Sequence, residues 1–102
     1  MSVIDLQIAK SYLDIIHSAD DVKLQLLLDG AEDEAAQFMN RSNLIEWDSD
    51  IEIDSDYLMP KSVVIGVMLL LQGNYQASVE EIDKLRKASE TKLMPFRLSM
   101  GV

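Results

Sequence analysis

Apolar positions recur at helical spacing in four stretches of the chain and at strict alternation in a fifth. Leu24, Leu27, Leu28, Ala31, Ala35, Phe38 and Met39 mark the clearest helical face, following a period near 3.6 residues. Asp29, Glu32, Asp33 and Gln37 are expected to point outward from it. Asp20 and Asp21 suit its positive end, with Ser18 or Asp20 as cap. Gly30 weakens its middle by about 1 kcal/mol relative to alanine. Before it, Asp5 caps a short helix with Ile8, Ala9, Tyr12 and Leu13 inward, and Asp14 to Asp20 is a connector. The pattern predicts helices at about 5–13, 20–40, 60–77 and 78–92.

The third of these opens at Pro60, a residue favoured in a first helical turn. It is apolar nearly all round, which predicts a buried central helix. Gly66, Leu70, Gly73 and Ala77 share one stripe of it, and small residues there let another backbone come close, within one subunit or between subunits. Ser78-Val79-Glu80-Glu81 reads as a capping box for the fourth helix. Val79, Ile82, Leu85 and Ala88 would face inward, and Lys84, Arg86, Lys87 and Lys92 would make the outer side basic. Pro95 ends the pattern. The tail at 96–102 carries a single charge, Arg97, and has an apolar composition suited to docking, whereas terminal residues are usually polar and frayed.

Strict alternation occupies 46–57. Glu46, Asp48, Asp50, Glu52, Asp54 and Asp56 alternate with Trp47, Ser49, Ile51, Ile53, Ser55 and Tyr57. An extended strand would send the carboxylates to one face and the aromatic and aliphatic groups to the other. Like charges so crowded destabilise their own strand, so the ladder should meet a cation, meet a basic partner, or repel something negative. The fold class expected is mainly α. It is a small four-helix domain over 1–95, with an extended acidic strand or loop between helices 2 and 3 and an extended C-terminal tail.

Charge sharpens this picture. The net charge is −9, with −11 over the first sixty residues and +2 over the last forty-two. Binding to nucleic-acid phosphates is not expected of such a chain. There is no cysteine, no membrane-length apolar run and no signal-peptide pattern at the N-terminus, so an intracellular protein is expected. Catalytic chemistry is not evident. His17 is the one histidine and has no nucleophile beside it in sequence. Counted from Asp48 as a calcium loop, the ladder places Ile53 where glycine is needed and Met59 where glutamate is needed. No metal, no cofactor and no enzymatic activity are expected.

Several segments together resemble the small head–tail connector family (adaptor, or head-completion proteins) of tailed double-stranded DNA bacteriophages and prophages. They are Ile8-Ala9-Lys10-Ser11-Tyr12-Leu13 with Asp14-Ile15; Asp20-Asp21-Val22; the run from Leu26-Leu27-Leu28 through Ala31, Ala35-Ala36 and Phe38 to Asn40-Arg41; Met59-Pro60-Lys61 with the helix to Tyr75; and Leu93-Met94-Pro95-Phe96-Arg97. The chain departs from that pattern in having Gln76, Ala77 and Ser78 where the family often has an arginine, and in its longer acidic segment. The resemblance implies a ring of identical subunits below the portal, extending the DNA channel and presenting a platform for the stopper or tail. It implies partners in further copies of itself, the portal protein and a stopper or tail protein, with DNA passing unbound and no membrane. The location implied is the virion's head–tail interface, and the host cytoplasm during assembly.

Roles follow from that implication. The ladder (Glu46, Asp48, Asp50, Glu52, Asp54, Asp56) would line the channel or meet a neighbour. Gly66, Leu70, Gly73 and Ala77 would serve subunit packing. Phe96, Arg97, Leu98 and Met100 would dock on the portal or a neighbour, so removing everything after Pro95 should leave a folded monomer. A rival reading is an acidic inhibitor that mimics DNA, since alternate strand residues lie ~6.6 Å apart, near a phosphate spacing. A metal-dependent enzyme using carboxylates alone is the third and weakest.

Overall fold

The computed structural model describes residues 2–15, 18–47, 49–75 and 78–98. Its described helices are α1 (Leu6–Tyr12), α2 (Asp21–Phe38), α3 (Lys61–Tyr75) and α4 (Val79–Leu93), followed by a 3-10 turn at Met94–Phe96. The architecture is mainly helical, and no strand occurs among the described residues. α3 is the central element, packed most extensively against α4 and next against α2. The chain forms a slab of 44 × 31 × 17 Å. Val63, Val67, Met68 and Leu71 of α3 meet Leu24, Leu28 and Ala31 of α2 in one buried core, which Ile4, Met39, Met59 and Leu93 complete.

Local chemistry sets the helix ends. Asp5 caps α1, its Oδ1 accepting from the Gln7 N–H at 2.9 Å. α1 and α2 both close in the same way. Asp14 and Asn40, each at φ 58°, take the left-handed position after the helix. Ile15 N–H then returns to Lys10 O at 2.9 Å, and Arg41 N–H to Ala36 O at 2.9 Å. This is the Schellman arrangement, which satisfies carbonyls that the helix leaves open. Lys10, almost buried, ties α1 to α2 through a 2.8 Å pair with Asp21 Oδ1.

Four outward or inward assignments are corrected. Glu32 is buried, at 8% exposure. Its Oε1 accepts from Val3 N–H at 2.9 Å and its Oε2 from Ile4 N–H at 2.7 Å. The N-terminal segment covers that side of α2, and Glu32 supplies the acceptors its amides need. Burial is the main influence on this carboxyl and raises its pKa, against the lowering by the two N–H groups. Tyr12 is exposed and donates to Gln72 Oε1 at 3.3 Å. In α4 the covered line is Ile82, Leu85, Ser89 and Leu93, while Val79 (85% exposed) and Ala88 face solvent.

The reason lies at the α3–α4 contact. A Cβ placed on Gly66 would lie 2.7 Å from Leu93 Cδ2 and 2.8 Å from its Cγ. The helices therefore touch where the glycine leaves room. Ser89 Oγ donates to Gly66 O at 2.7 Å in the same place, inside the core. Gly66 and Gly73 thus face Leu93 and Leu85 of α4 of their own chain, and Leu70 between them is buried, which is the packing within one subunit that the stripe allowed. Ala77 lies outside the described residues.

Candidate functional site: the acidic loop and its anchors

The acidic segment is a loop, not a ladder. Its one β element is an isolated antiparallel bridge between Asp54 and Met59. Turns at 49–50 and 55–58 interrupt the extended run. A helical domain offers no neighbouring strand to pair with, and an unpaired strand leaves its backbone groups open. Half of the expected alternation survives: Trp47, Ile51 and Tyr57 are partly covered, whereas Ile53 is exposed. Glu46, Asp50, Glu52 and Asp56 stand in solvent. Asp48 lies outside the described residues, as do His17 and Met100.

Asp54 organises the second half of the loop. Its Oδ1 accepts from the Asp56 N–H at 2.9 Å, its carbonyl accepts from Leu58 N–H at 2.8 Å, and its Oδ2 lies 3.3 Å from Lys61 Nζ. The Asp56 N–H foremost, with Lys61 helping, holds this carboxyl below its usual range. Leu58 sits at φ 62° and is 62% exposed, an uncommon conformation for a bulky residue. It turns the chain so that Met59 enters the core and Pro60 meets α3.

Stacked aromatic and guanidinium groups anchor the first half of the loop. Arg41 lies over the Trp47 ring at 4.6 Å, and Trp47 meets Phe96 edge-on at 6.2 Å and 82°. Arg97 lies over Phe38 at 5.2 Å. The end of α2 grips the tail backbone. Arg41 Nε donates to Phe96 O at 2.9 Å, Asn40 Nδ2 to Leu98 O at 2.9 Å, and Leu98 N–H to Met39 O at 2.8 Å. Phe96, Arg97 and Leu98 are therefore fastened to the end of α2 of their own chain, with Arg97 and Leu98 still exposed on their outer side. An open depression of about 710 Å³ lies between the loop and the start of α3, lined by Asp50, Glu52, Ile53, Lys61 and Phe96.

Comparison with family models, curated proteins and solved structures finds no match to this chain. Function has to be read from the surface itself. Among the described residues no group of three or more histidine, cysteine, aspartate or glutamate side chains is placed to hold a metal ion. No described helix is long and apolar enough to cross a membrane. Sequence reasoning missed two features near the site. One is the Glu32 clamp. The other is an open groove on α2, about 510 Å³, beside an exposed Leu26 and lined also by Gly30, Asp33, Ala36 and Leu44. The exposed apolar Leu26, one turn before a helix glycine and beside two aspartates, is the signal that could have marked it.

Proposed function

We propose that this chain is a non-catalytic assembly subunit of the head–tail connector kind that its sequence resembles, forming a ring through which DNA passes. The acidic loop carries this reading. Among its described carboxylates only Asp54 meets a cation, so Glu46, Asp50, Glu52 and Asp56 present uncompensated charge to water. The aromatic anchors hold that charge on a fixed surface. Such a surface suits repulsion of phosphate along a channel, where DNA must slide without adhering. The portal protein, and a stopper or tail protein, are the further partners the reading names. The DNA-mimic alternative has less support, because turns at 49–50 and 55–58 interrupt the even row of carboxylates on which it was based.

The test is native mass spectrometry with negative-stain microscopy of the purified chain over a wide concentration range, followed by binding to portal-bearing capsids. Closed rings with a central hole, or assembly on the portal, support the reading. A monomer that ignores capsids but captures one basic DNA-handling enzyme would replace it with the inhibitor.

A further inference from the structure

The groove on α2 and the outer side of α4 are complementary surfaces that one chain cannot bring together. The groove floor is flat because Gly30 has no side chain and nothing within 4 Å of where a Cβ would be. Leu26 stands beside it at 70% exposure, and Val22, one turn earlier, at 89%. Asp33 supplies exposed charge, and no lysine or arginine lines the groove. α4 offers the counterpart. Lys84 and Lys87 are exposed with Ala88 between the turns, and neither amine has a carboxylate partner among the described residues. Arg86 is used within the chain, pairing with Glu34 of α2 at 3.1 Å. That pair and the Gly66–Leu93 contact fix α4 in place, and no residue of α4 lines the groove of its own chain.

We propose that the α2 groove around Leu26, Gly30 and Asp33 receives the basic outer side of α4 of a second copy of this chain. The proposal rests on the ring reading above and names its contact. The two surfaces differ, so the contact is head-to-tail, the kind that closes into a ring when the rotation permits. Apolar contact with Leu26 supplies burial, and lysine–aspartate pairing at the rim sets register and excludes a like-charged approach.

The experiment is sedimentation velocity and native mass spectrometry on the full chain, over a concentration series, for wild type, Asp33→Lys, Lys84→Glu with Lys87→Glu, and all three changes combined. All three positions are exposed, and circular dichroism with a melting curve verifies that each variant folds. Wild type should associate. Either partial swap should raise the concentration needed at least tenfold, and the combined swap should return it to within about threefold of wild type. Association unaffected by the swaps, or a folded combined variant that stays monomeric, overturns the contact. A monomeric wild type at every concentration overturns it as well, and capsid binding then judges the ring reading separately. A closed dimer obeying the same swaps keeps the contact and removes the ring. A basic partner protein whose binding the Asp33 swap abolishes, with self-association untouched, overturns the choice of a second copy.

Discussion

Gly66→Ala is the sharpest probe of the packing described here, because its sign is opposite to that of the same change at Gly30. The new methyl would sit 2.7 Å from Leu93 Cδ2 and 2.8 Å from Cγ. Leu93 is fully buried, so it has nowhere to swing. Overpacking of this kind costs about 1–3 kcal/mol, and two sub-contact distances argue for the upper half of that range. Helix propensity returns about 1 kcal/mol. The net loss expected is about 1–2 kcal/mol. At roughly 4–8 °C per kcal/mol for a domain of this size, the melting temperature should fall by about 5–15 °C. Gly30→Ala meets nothing within 4 Å and should raise stability by about 0.5–1 kcal/mol. Urea and thermal denaturation, followed by circular dichroism, measure both. Leu93→Ala removes the obstruction, so adding Gly66→Ala in that background should be neutral or stabilising. A stabilising Gly66→Ala, or the same loss with and without Leu93, would refute the close approach of α3 and α4.

Three further outcomes are expected. Ending the chain after Pro95 removes the Phe96 contact with Trp47 and three hydrogen bonds to the end of α2; the loss should be on the order of 3 kcal/mol, read by denaturation with Trp47 fluorescence, and an unchanged midpoint would show that residues 96–98 add nothing. Glu32 and Asp54 should give opposite pH signatures. The Glu32 pKa is raised in the fold, so its stabilising share is complete below its unfolded value of about 4.5 and is lost as pH rises through the folded value; wild type should lose ground to Glu32→Gln from pH 4 to 8. The Asp54 pKa is lowered, so its share is present above about 3.8 and lost as pH falls through the folded value; the advantage of wild type over Asp54→Asn should vanish in acid, and an advantage that grows there would contradict the turn geometry. Leu58→Gly should raise stability by up to about 1 kcal/mol, since glycine takes φ 62° without strain and the lost side chain is exposed; a loss above 1 kcal/mol would mean the leucine packs in solution.

The helices were legible because their apolar residues repeat with the right period and their ends carry caps. Asp5, Pro60 and Ser78 each stand at or next to a helix start. The acidic alternation leaves strand and loop both open, because period alone cannot say whether a neighbour exists to pair with it. Glu32 was read as outward because Asp29 and Asp33 flank it on an acidic face, and nothing in α2 reveals that two amides twenty-eight and twenty-nine residues earlier need its oxygens. The α4 assignment failed at Ser89. A serine was not expected at a buried position, and its partner is a main-chain carbonyl freed for contact by Gly66. The tail was recognised as apolar and docking, but its receptor, the Asn40–Arg41 turn, lies more than fifty residues away in sequence.

The Glu32 clamp has a consequence for which sequences this fold can accept. Glu32 recognises the amide groups of residues 3 and 4, not their side chains. Position 3, only partly covered, can therefore drift through nearly all the amino acids with little effect on attachment. Proline is the exception, because it has no N–H to give. At position 4 the buried isoleucine adds a demand for size. The first segment is thus held by a feature common to every residue but one, so a relative of this chain could look unrelated over its opening residues and still be fastened in the same way, with the glutamate on α2 as the trace to search for.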